Sequence, residues 1–418
     1  MEGVSAEQLG SWTRDERERW HIPGIAVGLL ADGRITTAAA GIRELGDDDP
    51  VTPQTVFRIA SVTKPFTATL VVALVRDGLL ELDAPPPGTR VQASVRQLLS
   101  HQGGLACEWP RPLEELGSAD DALLQILAGE PERLPVGPGE LFSYSNVGFW
   151  LVGAAAARAS RTSFEQAMRA NVLEPLGLAA TTFEPERAAR GHNQVEPGSD
   201  EHRPVEDAYP RVRRPSGGLW SSVEDLLRFA AHHLGGPGPL SADAVAAMQR
   251  RQVDAPGGAY GLGWALRDTG GRRIIEHSGS AAGFESLLLL VPEERVAFAA
   301  LANSSRGSAA MRGILERLRL AHEELPEFPL PVETLNAFTG RYAGPGIELE
   351  VAGEDGRLRI RQTDFDPFTR ENVVYPPVLA RPVGEREFEI VDGEWRGERF
   401  TFPRPGFVCM TVLAARVE

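Results

Sequence analysis

Ser61 and Lys64, three residues apart in Phe57-Arg-Ile-Ala-Ser-Val-Thr-Lys-Pro-Phe66, are the pair in this chain with the clearest chemistry. A serine hydroxyl is a weak nucleophile until a neighbour takes its proton, and an amine whose pKa is pulled down by burial can be that base. One helical turn puts both side chains on the same face. Lys64 is also the single lysine, all other members of the 43 Lys and Arg being arginine. Arginine keeps its proton, so a solitary lysine marks either a position needing a titratable amine or one leftover surface residue. Pro65 is tolerated only near a first helical turn, which sets Ser61 close to a helix N-terminus, where the dipole favours developing negative charge. Thr63, preceding Lys64, excludes the Gly-Lys pair of a phosphate-binding loop.

Two further segments carry reactive groups. In Phe142-Ser-Tyr-Ser-Asn146, Tyr144 can relay a proton if cationic neighbours lower its pKa, and the Asn146 amide can hold Lys64 or a substrate carbonyl. The plainer reading of Tyr144 is a packed loop ring. In Glu276-His-Ser-Gly-Ser-Ala-Ala-Gly-Phe284, just ahead of an expected strand, the glycines would admit substrate to the backbone. His277 taken singly reads as a satisfied structural histidine.

Strand pairs at both ends of the first 320 residues must hold these groups. Gly24–Leu30 and Arg34–Ala40 flank Asp32-Gly33, and Phe284–Val291 and Arg295–Asn303 flank a turn at Pro292; each reads as an antiparallel hairpin. Helical patterns fill the middle, as from Phe66 through Leu70 and Leu74 to a stop at Gly78, and another helix is expected from Ala309 to Leu320. The expected fold class is α+β: a largely antiparallel sheet flanked by helices with an all-helical region, plus a small all-β C-terminal domain. The domains read as 1–322, a proline-rich linker at 323–332, and 333–418, where Ile347, Leu349 and Val351 alternate with polar residues before a turn at Glu354-Asp-Gly356.

Acidic residues number 58, for a formal charge of −15, which opposes binding to a nucleic-acid backbone. No apolar run approaches a membrane span, and the start Met1-Glu-Gly-Val-Ser-Ala-Glu lacks an export signal, so a cytoplasmic protein without a membrane partner is expected. Cys107 and Cys409 match no metal or redox spacing and read as unpaired thiols. No metal and no cofactor are expected. His232-His233 fall near a helix end, where positive charge would suit the dipole.

In this order the three segments resemble the serine β-lactamase and penicillin-binding-protein superfamily, with its Ser-x-x-Lys signature. The likeness is nearest to the branch of class C β-lactamases, D-Ala-D-Ala carboxypeptidases, D-aminopeptidases and esterases. Leu98-Leu-Ser-His-Gln-Gly-Gly-Leu105, Pro215-Ser-Gly-Gly-Leu-Trp-Ser-Ser222 and Tyr260-Gly-Leu-Gly-Trp264 are similar to that branch too. The resemblance implies Ser61 as the acylated nucleophile, Lys64 as its base, Tyr144 as the proton relay and Asn146 as the group orienting Lys64 and substrate. It implies an oxyanion hole from the Ser61 and Ser280 amides, with His277 and Gly279 in the substrate-binding strand. Dedicated β-lactamases carry Lys-Thr-Gly where this chain has His277-Ser278-Gly279, a form more like the family's esterases, D-peptidases and acyltransferases.

The segment opening at Phe338-Thr-Gly-Arg-Tyr342 looks like the lipocalin-like domain of some members, including thioesterases that release or cyclise nonribosomal peptides. There Arg416 would offer a fork for a substrate carboxylate, or else be a surface charge. Trp220, Tyr260 and Trp264 would line an apolar pocket or merely pack. The expected function is a serine hydrolase or acyltransferase acting on a small ester, amide or peptide. The alternatives are peptide release or cyclisation, and a non-catalytic ligand sensor or scaffold. Oligomeric state is not legible.

Overall fold

The computed structural model describes residues 4–108, 122–196, 198–206, 209–321, 325–365, 371–393 and 395–417. Residues 1–3 of the stretch read for an export signal, and 323 and 324 of the linker, lie outside that range.

The first hairpin is β1 (Gly24–Ala31) and β2 (Arg34–Gly41), in register from Gly24 with Gly41 to Ala31 with Arg34. Asp32 and Gly33 have φ of 52° and 73°, the left-handed pair that a type I′ turn requires. Six more strands complete the sheet: β3 (Val253–Ala255), β4 (Gly258–Tyr260), β5 (Ala265–Thr269), β6 (Arg272–Ala281), β7 (Phe284–Val291) and β8 (Val296–Ala302). Their order is β2-β1-β8-β7-β6-β5-β4-β3, antiparallel throughout, so β8 returns from far along the chain to lie beside β1. The segment around His277, read as lying just ahead of a strand, is itself strand: β6 runs to Ala281 and turns at Ala282-Gly283, with φ of 49° and 74°.

The site depends on helices α1 (Ala6–Arg19), α2 (Thr63–Arg76), α3 (Asn146–Ser160), α4 (Val223–His233) and α5 (Gly307–Arg317), of which α1, α4 and α5 pack on the sheet. Alternation along β1 decides which face meets which helix. Ile25, Val27 and Leu29 pack with Leu9 of α1 and Met311 and Ile314 of α5, whereas Ala26 and Leu30 join the core containing α2, α3 and α4. In α2 every residue from Thr63 to Leu74 is buried, so it runs through the helical region instead of lying on it. The two histidines ending α4 correct the expectation of a charged cap. His232 and His233 are buried and their pKa values fall, His233 to about 3, because burial opposes the cation. Among the described residues no helix is long and apolar enough to cross a membrane.

After a short helix at Val332–Phe338 the chain forms nine strands: β9 (Gly340–Gly344), β10 (Ile347–Glu354), β11 (Arg357–Phe365), β12 (Asn372–Val374), β13 (Val378–Pro382), β14 (Glu387–Ile390), β15 (Arg399–Thr401), β16 (Phe407–Cys409) and β17 (Leu413–Arg416). The order β10-β9-β17-β16-β15-β14-β13-β11 closes through a β10–β11 pairing into an eight-stranded barrel, and β12 extends it at β11. Ile347, Leu349 and Val351 point inward and meet Tyr342, Phe388, Phe400 and Phe402. Side chains fill the interior. The barrel docks on the first unit where Cys409 and Leu413 pack against Leu134, Val136, Phe142 and Tyr260.

Candidate active site

Ser61 lies in a 3₁₀ turn, Ala60–Val62, that runs into α2, so Pro65 is the third helical residue and removes no hydrogen bond. Ala60 just before it has φ of 43°, a strained value for a residue with a Cβ. Lys64, fully buried one turn on, places Nζ 3.0 Å from Ser61 Oγ. It also donates to Asn146 Oδ1 at 2.7 Å and to the Ser216 carbonyl at 2.9 Å. Burial lowers its pKa from 10.5 to about 7, with Cys107 and Glu108 opposing. A neutral amine has two N–H bonds and one lone pair. With both N–H groups committed to Asn146 and Ser216, the lone pair faces the serine.

Asn146 opens α3, and its amide has one orientation that satisfies its neighbours: while Oδ1 accepts from Lys64, Nδ2 donates to Glu108 Oε1 at 2.7 Å. Glu108 in turn lies 3.1 Å from Arg213, whose guanidinium sits over the Trp150 ring. The Trp150 indole donates to Ser216 Oγ at 2.8 Å, which returns to the residue whose carbonyl holds Lys64.

Tyr144 shares a hydrogen bond with Ser61, and its ring lies 4.6 Å from Lys64 Nζ. Its pKa is not lowered by a cationic neighbour. Burial raises it, the hydrogen bond with Ser61 opposes the rise, and Cys107, Tyr209 and Glu108 add to it. His101 backs the tyrosine, with ring centroids 4.2 Å apart, and its Nδ1 accepts from the Ser145 N–H at 3.0 Å. That acceptor role requires an unprotonated nitrogen, and burial holds the His101 pKa well below its ordinary value.

Strand β6 supplies the opposite wall. β5 pairs with it only from Arg272 to Glu276, so from His277 onward that edge has no strand neighbour. A Cβ on Gly279 would stand 2.8 Å from the Ser61 amide nitrogen and 2.5 Å from the Ile59 carbonyl, so only glycine permits this approach. Ser286 Oγ on β7 fastens the two segments by donating to the Ile59 carbonyl at 2.7 Å and lies 3.2 Å from that of Gly279. Ser280 follows on the open edge, with an exposed side chain hydrogen-bonded to Glu285. His277 is buried, and burial with nearby Lys64 lowers its pKa to about 3. Its Nε2 accepts from the Tyr260 hydroxyl at 2.8 Å, and Nδ1 donates to the Ser278 carbonyl at 2.6 Å.

The structure thus brings Ser61, Lys64, Tyr144, Asn146, His277, Gly279 and Ser280 to one cleft. Arg416 lies apart, donating to the Ala337 and Thr339 carbonyls of its own barrel. Trp220 and Trp264 are core residues, Trp264 against Phe229 and His233. Sequence reading gave no role to Glu108, His101, Ser216 or Ser286. His101 carried one usable signal, its place in the family-like stretch Leu98–Leu105. Among the described residues no group of three or more His, Cys, Asp or Glu is arranged to hold a metal ion.

A family model described as Beta-lactamase matches residues 12–323. Penicillin-binding protein 4 of Amycolatopsis lactamdurans is 32% identical over 352 residues, 76% of this chain and 91% of that protein. Putative beta-lactamase-like 1 of Homo sapiens is 28% identical over 408 residues, covering 87% of this chain and 79% of that one. Among solved structures, SurE superposes with a TM-score of 0.77 at 26% identity over 99% of both chains. SurE with D-Leu gives 0.75 at 25%, again over 99% of both.

Proposed function

We propose that this chain, which belongs to the Beta-lactamase family, is a serine hydrolase working through an ester of Ser61 on a small ester, amide or peptide. The observation that carries this reading is the buried Lys64 amine 3.0 Å from Ser61 Oγ, with Asn146 Oδ1 and the Ser216 carbonyl placed to take both N–H groups of its neutral form and leave the lone pair for the serine. Lys64 takes the hydroxyl proton as Oγ bonds to the substrate carbonyl carbon. The backbone amides of Ser61 and Ser280 hold the oxyanion, a contribution of a few kcal/mol in such sites. Tyr144, a neutral phenol, hands its proton to the leaving atom while Lys64 resupplies it, and when the acceptor attacks the ester the acceptor's proton passes by the same route to Lys64 and on to Ser61 Oγ. Asn146 keeps Lys64 in register, and Gly279 keeps the edge of β6 within reach of the acyl carbonyl.

The acyl donor would lie along the open edge of β6, where an extended chain finds backbone partners. Neutral His277 offers no cation there, and both its ring nitrogens are occupied. This favours esters and amides uncharged at that position over β-lactams, whose carboxylate has no ammonium to meet there. An amine in place of water as acceptor, which would make the enzyme release or cyclise a peptidyl thioester, is favoured by one observation. The full-length likeness to SurE includes the barrel, and SurE has been solved with D-Leu.

The test is intact-mass measurement after exposure to a fluorophosphonate, with p-nitrophenyl esters, a D-Ala peptide, nitrocefin and a peptidyl thioester assayed alongside. A single adduct, absent in Ser61→Ala, is expected, with ester turnover exceeding nitrocefin turnover. Folded protein left unmodified would favour the ligand-sensor alternative.

A further inference from the structure

We infer that the hairpin of β16 and β17 is a positioning element for Tyr144, so that the barrel completes the acid–base machinery without touching the reacting atoms. The inference rests on the reading above in which Tyr144 moves the proton. Three bonds in sequence order join the hairpin to the tyrosine segment. Cys409 Sγ lies 3.7 Å from the Phe142 carbonyl, the Leu413 N–H donates to Ser143 Oγ at 3.1 Å, and the Tyr144 N–H donates to the Thr411 carbonyl at 3.1 Å. Leu413 and Cys409 seal them with apolar contact against Phe142 and Tyr260.

From the other side, the His101 carbonyl accepts from the Ser143 N–H at 2.9 Å and its Nδ1 from the Ser145 N–H. Residues 142–145 are therefore held between His101 and the barrel, with Tyr144 at the centre. The first unit fixes the tyrosine ring by contact with His101 and Lys64. The barrel fixes the peptide unit from which that ring projects. Releasing the hairpin leaves the Lys64 bonds to Ser61, Asn146 and Ser216 in place, because none of these partners lies in the barrel. It frees the phenol to drift, and a displacement near 1 Å at a reacting group typically costs about a hundredfold in rate.

The full-length chain tests this through two rates. Phosphonylation of Ser61 by a fluorophosphonate forms an Oγ–P bond and breaks P–F; the serine proton goes to Lys64 and fluoride leaves without one. It draws on Ser61 and Lys64 but not on a proton from Tyr144. Ester turnover needs all three. Ser143→Ala should lower kcat about tenfold or more, keep KM within about twofold and hold the phosphonylation rate within about threefold. Ser143→Thr, which keeps the hydroxyl acceptor, should recover most of kcat. Leu413→Ala should repeat the split, and decides the matter if Ser143→Ala does not fold.

Tyr144→Phe, with the same pattern at larger size, sets the reference. Unchanged kcat in both Ser143→Ala and Leu413→Ala, or equal losses in the two rates, would overturn the inference while leaving the Tyr144 reading intact. Full kcat in Tyr144→Phe would overturn the reading itself and the positioning role with it.

Discussion

The interior of the barrel and the cleft around Ser61 are both walled by aromatic rings, yet the rings serve different ends. In the barrel, Phe388, Phe400 and Phe402 pack on one another with centroids 5.4 to 6.0 Å apart and stabilise the fold by burial. In the cleft, Tyr144, Phe149 and Tyr260 surround Lys64, His101 and His277. Burial pushes the pKa of each of those three down, away from the cation. A buried charge without a partner is costly enough that the group gives up its proton instead. The rings there act on chemistry: the burial they provide lowers the lysine's pKa to about 7, which makes the neutral amine available as a base.

Replacing the lysine is the strongest way to break that contrast. In Lys64→Arg the guanidinium retains its proton even when buried, so the base is lost although the charge type is kept. Turnover should fall at least about a thousandfold. In the unmodified enzyme the neutral amine is the active form and titrates near pH 7, so kcat/KM should fall about tenfold per pH unit below that value and level off above it. Steady-state kinetics from pH 5 to 9 measure both. Near-normal turnover in Lys64→Arg would mean that the cleft, like the barrel, uses its rings only for packing.

A core change in the barrel probes the other side. Phe388 is fully buried among Phe338, Phe400 and Phe402, and Phe388→Ala should destabilise the barrel by about 3–5 kcal/mol. Below its lowered unfolding transition the variant should turn over esters as the unmodified enzyme does, since Phe388 packs within the barrel's own apolar core. Calorimetry paired with initial rates at 15 °C would show this. A tenfold loss of kcat in the folded variant would give the interior a part in catalysis.

The sequence was most legible where a function depends on neighbours a few residues apart. Ser61 and Lys64 share one helical turn, Tyr144 and Asn146 straddle the start of α3, and Asp32-Gly33 announces the turn it makes. It was silent where the contribution belongs to the backbone or crosses long distances. Ser216 and Thr411 act through carbonyl oxygens that any residue would supply. Glu108 joins the site by a hydrogen bond from Asn146, 38 residues away in the chain. Ala282-Gly283 turns the chain with an alanine in the left-handed region, which no turn preference foretells.

The subtlest test sits where the two regions meet. Glu285, on β7 beside Ser280, has its pKa raised to about 8 by burial, and Glu398 from the barrel turn between β14 and β15 adds to the rise while the Ser280 bond opposes it. The ordinary carboxyl value is 4.5, so between 4.5 and about 8 the folded chain holds a proton that the unfolded chain has released. Stability from this group is therefore present at pH 4.5 and lost as the pH rises through 8. Glu285→Gln mimics the protonated state at every pH. Its melting temperature should match the unmodified protein near pH 5 and exceed it by about 2 °C at pH 9, whereas the Lys64 contribution is common to both and cancels. A gain that is the same at both pH values would mean that Glu285 keeps an ordinary carboxylate and that the barrel turn leaves the cleft rim electrically untouched.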